Sequence, residues 1–281
     1  MNMSNYKRIL TMQDISCLGQ CSGSIALPVL SACGHETCLI PSAVLSTHTG
    51  QFEGYTFRDL TADIPAIIRH WRQEGIMFDA LYTGYLGSAV QAEYAAEMIK
   101  TLLRPEHLVI VDPAMADNGR LYAGLMDDCV SAMRGLCSVA DVILPNVTEA
   151  CLLTGMEYRD YWDGGYISDL LDALLALGAK SVILTGIVFS EEVTGGVIAS
   201  GAGKRYFRHR RVNRMFHGTG DVFAAAFTGA FLCGLSLDDA AQVAARFTLC
   251  SIENTEDDPE HWYGVKFETA LPVLMKELGK L

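Results

Sequence analysis

The chain has 281 residues, half of them apolar, and a formal net charge of −12. That length and composition support a large hydrophobic core. The acidic balance argues against nucleic acid as the main partner, because phosphate contacts dominate such binding, and no apolar run reaches the length of a membrane span.

Strand-like and helix-like segments alternate along the chain. Arg8 to Met12 reads as a first strand and Ser24 to Cys33 as a helix. Thr37 to Pro41 is a short strand, Leu60 to Glu74 an amphipathic helix, and Asp79 to Thr83 a strand ending at Gly84. Val90 to Leu103 reads as helical. His107 to Val111 is a near-continuous apolar run, as expected of a parallel strand covered on both faces. Asp141 to Leu144 and Ser181 to Thr185 repeat it, with helices from Glu149 and from Ile167 between them. Val193 to Ser200 and Lys204 to His209 form a predicted hairpin turning at Gly201-Ala202-Gly203, and three helices finish the chain.

This rhythm predicts a doubly wound α/β fold: a mostly parallel central sheet with helices on both faces. No linker, repeat or boundary is visible, so residues 1–281 are expected to form one domain with no separate lid domain. Ligands in such folds bind beyond the carboxyl ends of the strands. Gln13-Asp14, Thr83-Gly84-Tyr85, Asp112-Pro113, Pro145-Asn146 and Thr185-Gly186 follow the predicted strands, and all should face one crevice.

Nine cysteines, an odd number with no C-x-x-C pair, fall partly in apolar helical stretches and predict reduced thiols in a cytoplasmic protein. Seven histidines show no paired ligand spacing, which argues against zinc. Met1 to Ser4 is short and polar, and Lys7 and Arg8 interrupt the first apolar run, so no signal peptide is expected.

The most informative segment is His217-Gly218-Thr219-Gly220-Asp221, followed by an apolar, small-residue run to Leu235 that reads as a buried helix. Gly218, Thr219 and Gly220 would offer unpaired amides and the positive end of a helix dipole, an anion site. Asp221 enters at the same point. A carboxylate beside an anion site suits phosphoryl transfer to an alcohol, where a proton must leave while negative charge develops. It equally suits an ordinary dipole partner in a first helical turn. Gly201-Ala202-Gly203-Lys204 lacks P-loop spacing, and no Gly-x-Gly-x-x-Gly follows a strand. Arg205, Arg208, Arg210, Arg211 and Arg214 read mostly as a solvated edge strand and loop, with room for one or two to face phosphates.

Several further segments, in order through most of the chain, resemble the pyridoxal kinase branch of the ribokinase-like family. They are Ser46-Thr47-His48-Thr49, Thr83 to Ser88, Asp112 to Gly119, Pro145 to Ala150 with Leu153-Thr154-Gly155, and Gly218-Thr219-Gly220-Asp221. The resemblance implies an ATP- and magnesium-dependent kinase acting on the 5′-hydroxymethyl group of pyridoxal, pyridoxamine or pyridoxine. A monovalent cation such as K+ is left open. In that reading Asp221 is the general base, and the amides of Gly218, Thr219 and Gly220 stabilise the transferring phosphoryl group. Asp112, Asn146 and Glu149 organise magnesium. Asp112, Asp117, Asn146, Glu149, Thr185, Gly186, Gly218 and Gly220 hold ATP, with Asp117 on a closing loop. Thr47, His48 and Tyr85 frame the pyridine ring, with Asp14 and Asp221 beside it. Adenine is expected near Phe247 to Asn254, and a homodimer is the family's usual state.

The residues keep their plainer readings alongside. Asn146 with Glu149 three residues on is close to a capping box. Asp117 reads equally as a turn residue, Thr185 as a strand-end hydroxyl, and His48 and Tyr85 as packed core. Two departures stand out. Asp14 replaces the branch's usual serine; its carboxylate would accept from a pyridinium N–H, attract the ammonium of pyridoxamine, or cap a turn. Ala116 replaces a usual glycine and predicts a stiffer loop. The alternatives are a hydroxymethylpyrimidine kinase of the same fold and a non-catalytic B6-binding protein.

Overall fold

The computed structural model describes residues 6–281; the polar stretch Met1 to Ser4 lies outside them. β1 (Arg8–Ser16) is buried along almost its whole length, as a strand covered on both faces must be. It is followed by α1 (Gly23–Ala32), β2 (Glu36–Leu45), β3 (Phe57–Asp59), α2 (Ile64–Gln73), β4 (Phe78–Thr83), α3 (Ala89–Leu102) and β5 (Leu103–Val111). Next come β6 (Ala116–Asp117), β7 (Arg120–Leu121), α4 (Asp127–Cys137), β8 (Val142–Ile143), α5 (Val147–Thr154) and α6 (Gly164–Ala176). The chain then runs through β9 (Ser181–Val188), β10 (Val193–Ser200), β11 (Gly203–Arg210), α7 (Thr219–Leu232), α8 (Leu237–Glu253), a 3-10 turn (Phe267–Ala270) and α9 (Leu271–Glu277).

Nine strands form one sheet in the order β11-β10-β9-β8-β5-β4-β1-β2-β3. Pairing from β2 through β9 is parallel, while β3 at one edge and the β10–β11 hairpin at the other are antiparallel. β6 and β7 make a separate two-stranded flap. One face of the sheet packs against α2 to α6 through residues such as Ile68, Met98, Met133, Leu153 and Leu170. The other packs against α1, α7, α8 and α9 through Ile25, Phe227, Phe247 and Leu274. The predicted α/β architecture, with no separate lid domain, is therefore the one observed.

Some bounds differ. β1 and β2 run past their predicted ends to Ser16 and Leu45, because they pair with each other that far, with a register shift between Gln13 and Ile15. α2 starts at Ile64 rather than Leu60, where Pro65 sets its first turn. β5 starts at Leu103, which turns extended and pairs with Phe78. α7 stops at Leu232, and Gly234 follows in the left-handed region at φ 94°. β3, β6, β7 and α4 were not predicted.

The arginines near the glycine motif are largely held by the protein itself. Arg205 pairs with Asp238, and Arg210 with Glu253 and Glu256. Arg214 donates to the Glu256 and Asp258 carbonyls, and Arg208 lies over the Phe189 ring. No disulfide joins any of the nine cysteines. Among the described residues no helix is long and apolar enough to cross a membrane.

Candidate active site

The strand ends and the α7 N-terminus converge. Gly218 caps α7 in the left-handed conformation, φ 78°, with no side-chain cap. Helices α3, α5, α6 and α8 each have a side chain accepting from a first-turn amide. α7, like α1, α2, α4 and α9, lacks one, which leaves its first amides open to an anion. A Cβ at Gly218 would sit 2.5 Å from the Gln20 carbonyl, so glycine is required on two counts. Thr219 Oγ1 donates to the Phe216 carbonyl at 3.5 Å, and Gly220 is exposed.

Asp221 is half-buried in the first turn of α7. Burial pushes its carboxyl up to about 7; the Ser22 backbone opposes that rise and the charge of Asp14 adds to it. Asp14 is itself buried, 6% exposed, and accepts from Ser16 Oγ at 3.3 Å. Burial raises its pKa as well, against the Ser22 and Ser16 hydroxyls. It lies within β1 and caps no helix; the α1 cap is Ser22. Ser22 sits between the two carboxylates at φ 49°, ψ −123°, a strained backbone for a non-glycine residue.

Tyr85 is half-buried, its hydroxyl pushed up to about 12 by burial and by the charge of Asp14. Thr47 Oγ1 is buried with no hydrogen-bond partner. His48 has both nitrogens engaged: Nδ1 accepts from the Gly50 amide at 3.0 Å and Nε2 donates to the Tyr263 carbonyl at 2.7 Å. Its ring therefore forms wall, and offers no free nitrogen to a substrate in this conformation. That wall continues through His217, 4.9 Å away between centroids, and through Phe52 and Trp262.

At the start of α5 the capping box is built. Asn146 Oδ1 accepts from the Glu149 amide at 2.9 Å, and Glu149 Oε2 accepts from the Asn146 amide at 2.8 Å. Glu149 Oε1 also accepts from the Met115 amide, and Asn146 Nδ2 donates to the Ala116 carbonyl. α5 thus ties the β6 flap to the strand ends, and Ala116 is fully buried in that flap. Asp112 is 7% exposed. Burial first, then the charges of Glu149 and Asp221, raise its pKa. Glu149 is likewise raised, chiefly by burial. Thr185 Oγ1 donates to the Pro145 carbonyl at 3.4 Å, and Gly186 is exposed at φ 75°.

Other predicted residues have plainer surroundings. The exposed Asp117 carboxylate accepts from the amide and side chain of Asn118, an ordinary turn arrangement. Phe247 is fully buried in the core and presents no face to adenine, and Asn254 Nδ2 donates to Thr269 Oγ1. The sequence reading missed Ser22 and Tyr122. Tyr122 reaches from beyond β7 into the fields of Glu149, Asp117, Asp221 and Asp112. It also missed the Phe52 and Trp262 wall, which three separate loops assemble with no local signal.

The geometry matches known proteins. The family model described as phosphomethylpyrimidine kinase covers residues 31–264. The chain belongs to that family. This kinase is 31% identical over 270 residues to the pyridoxine/pyridoxal/pyridoxamine kinase of Bordetella avium, covering 88% of the chain and 85% of the relative. It superposes on the pyridoxal kinase of Lactobacillus plantarum with a TM-score of 0.88 at 32% identity, covering 96% and 97% of the two chains. A Bacteroides thetaiotaomicron structure, assigned as a phosphomethylpyrimidine kinase and crystallised with pyridoxal, aligns with a TM-score of 0.89 at 34% identity over 95% of each chain. The expected kinase of ribokinase-like fold is thereby borne out.

Proposed function

We infer that this kinase transfers the terminal phosphoryl group of ATP to the 5′-hydroxymethyl group of a vitamin B6 vitamer. The observation that carries the reading is Asp221: a carboxylate held near neutrality beside an uncapped helix N-terminus. A general base works best when its pKa lies near the working pH. The amides of Gly218, Thr219 and Gly220 face the place where charge develops, and electrostatic stabilisation of that kind usually dominates phosphoryl transfer. Asp14, Thr47 and Tyr85 border the ring pocket, with His48 in its wall. The Thr47 hydroxyl, buried without a partner, is a polar group that a ligand would satisfy.

Magnesium fits the donor set. Asp112 offers a nearly buried carboxylate with the charge of Glu149 beside it. Among the described residues no three such groups form a ready-made cage. A small hard cation that keeps several waters and takes phosphate oxygens suits that arrangement. When bound, the ion neutralises charge on the phosphates. Asn146 then acts by fixing Glu149, since its side chain is committed to the cap. Thr185 and Gly186 stand at the end of the phosphate side, and Asp117 holds the flap turn.

We further propose a homodimer working in the cytoplasm, where its nine cysteines, none in a disulfide, stay reduced; sedimentation of the purified protein measures the assembly. One sheet shared by both cores supports a single kinase unit over the whole chain. The alternative substrate is hydroxymethylpyrimidine, which stands in the name of a relative 33% identical over 65% of the chain. A coupled ATP-consumption assay with magnesium on pyridoxal, pyridoxamine, pyridoxine and hydroxymethylpyrimidine decides between them. Turnover of a vitamer that disappears in Asp221→Ala supports the reading. Turnover of hydroxymethylpyrimidine alone moves the substrate and keeps the chemistry. No turnover with any of them leaves B6 binding without catalysis.

A further inference from the structure

The walls of the ring pocket come from separate parts of the chain. Tyr85 stands in the turn between β4 and α3, and Thr47 and His48 stand in the loop between β2 and β3. One buried side chain joins the two. Gln91 is the third residue of α3, follows the Ser88 cap by three positions, and is 2% exposed. A glutamine at that position ordinarily closes a capping box by accepting from the amide of the cap residue itself. Here Gln91 Oε1 accepts instead from the Gly87 amide at 2.8 Å. Its Nε2 reaches out of the helix, donating to the Ser42 carbonyl at 3.2 Å and to Thr61 Oγ1 at 2.7 Å.

The partners fix which way round the amide lies. Thr61 Oγ1 donates to the Asp59 carboxylate at 2.6 Å, so its oxygen can only accept from Gln91, and the Ser42 carbonyl can only accept as well. Both call for the NH2 group, which turns Oε1 toward the one donor, the Gly87 amide. The Ser42 carbonyl also accepts from the Leu60 amide, and Ala43 pairs with Asp59, so Gln91 grips β2 and β3 at the base of the loop that carries Thr47 and His48. On the other side, a Cβ at Gly87 would lie 3.7 Å from both Gln91 Oε1 and Tyr85 Cε1, so the Gly87 backbone borders the amide and the Tyr85 ring together. A helix cap by itself requires neither the contact to β2 nor the one to Thr61.

We propose that Gln91 is a positioning residue that sets the Tyr85 turn against the β2–β3 loop, and so fixes the spacing between the two walls of the vitamer pocket. The proposal rests on the kinase reading above. Gln91 acts through Tyr85 and the loop, and its loss is felt by the vitamer and not by ATP.

The test uses the full chain and three variants. Gln91→Met keeps the length of the side chain and removes its three hydrogen bonds. Thr61→Val removes one of them at a half-buried position. Ser88→Ala removes the α3 cap and leaves the bonds of the Gln91 side chain in place. Gln91→Met is expected to raise KM for the vitamer about tenfold and Thr61→Val about threefold, with kcat and KM for ATP within about twofold, because the walls hold ground state and transition state alike. Amide hydrogen exchange of the unliganded chain is the second readout. Gln91→Met should speed exchange in residues 84–88 and 46–56 together, and Ser88→Ala only in the first turn of α3. Unchanged vitamer KM in Gln91→Met, an equal rise in KM for ATP, or faster exchange confined to α3 each overturn the proposal. If Gln91→Met does not fold, Thr61→Val carries both measurements. If the wild type turns over no vitamer, the kinase reading fails by itself, and the exchange pattern decides whether Gln91 couples the two segments.

Discussion

Asp221 stands in the first turn of α7, where the helix dipole alone would favour the ionised carboxylate. Burial overrides the dipole and holds its pKa at about 7. Replacing it with alanine should lower kcat by roughly two to four powers of ten, the usual share of a general base, with ATP affinity retained. The base form is the ionised one, so wild-type kcat/KM should fall as pH drops through about 7. The same group sets a stability trend. Its folded pKa is raised, so the folded state binds the proton more tightly, and stability falls as pH rises from the unfolded value near 4 to the folded value. Asp221→Asn should therefore melt with the wild type at pH 4 and progressively above it up to pH 7, by up to about 4 kcal/mol. Parallel melting curves across that range would remove the raised pKa. Asp14 poses a second residue-scale question. A buried carboxylate beside Tyr85 should prefer the cationic vitamer, so Asp14→Ser should lower kcat/KM for pyridoxamine relative to pyridoxal. Equal selectivity in both proteins would reduce Asp14 to packing.

At the scale of elements, α5 decides how the phosphate side is held. Spacing alone reads Asn146 and Glu149 as a cap, and only the family resemblance makes them a magnesium pair. Their side chains close the cap reciprocally, and Glu149 also accepts from Met115 in the loop before β6. The metal reading survives only with Glu149 acting from within that cap. Glu149→Gln puts an amide donor where two backbone donors converge. It should destabilise the fold by about 1–3 kcal/mol, the cost of a buried unsatisfied group, and raise the magnesium needed for half-maximal activity. A lowered melting temperature with an unchanged magnesium titration would leave α5 structural. The same element shows what sequence can carry. Apolar runs such as His107 to Val111 announce strands, and Gly218 to Asp221 announces α7, because each signal is local. α4 escaped notice because Gly135 and its charges blur the period. β6 and β7 escaped because two residues carry no period at all. The engaged Nε2 of His48 depends on Tyr263, 215 residues away, which no spacing reveals.

For the whole molecule, the sheet gathers acidic groups at one end. Asp14, Asp112, Glu149 and Asp221 come from β1, the end of β5, α5 and α7, and burial raises the pKa of each. The charges act on one another as well: Asp14 raises Asp221, and Asp221 with Glu149 raises Asp112. Such clustering opposes folding when the groups ionise, which is why we propose a site completed by cations. A ligand that binds only the folded state stabilises it according to its affinity. Magnesium with a nucleotide brings positive charge to the acidic end, and its affinity should rise as the carboxylates ionise. The melting-temperature gain from saturating magnesium–ADP should then be larger at pH 8 than at pH 6. The gain from ADP alone should not grow in this way, because its own negative charge meets the same carboxylates. Measuring both gains in the wild type and in Asp221→Asn separates the contributions. If the magnesium-dependent increment shrinks in the variant, Asp221 belongs to the charge that the cation offsets. If the increment is flat with pH in the wild type, the cluster is already ionised and screened at neutrality, and the raised pKa of Asp221 cannot be what tunes it as the base.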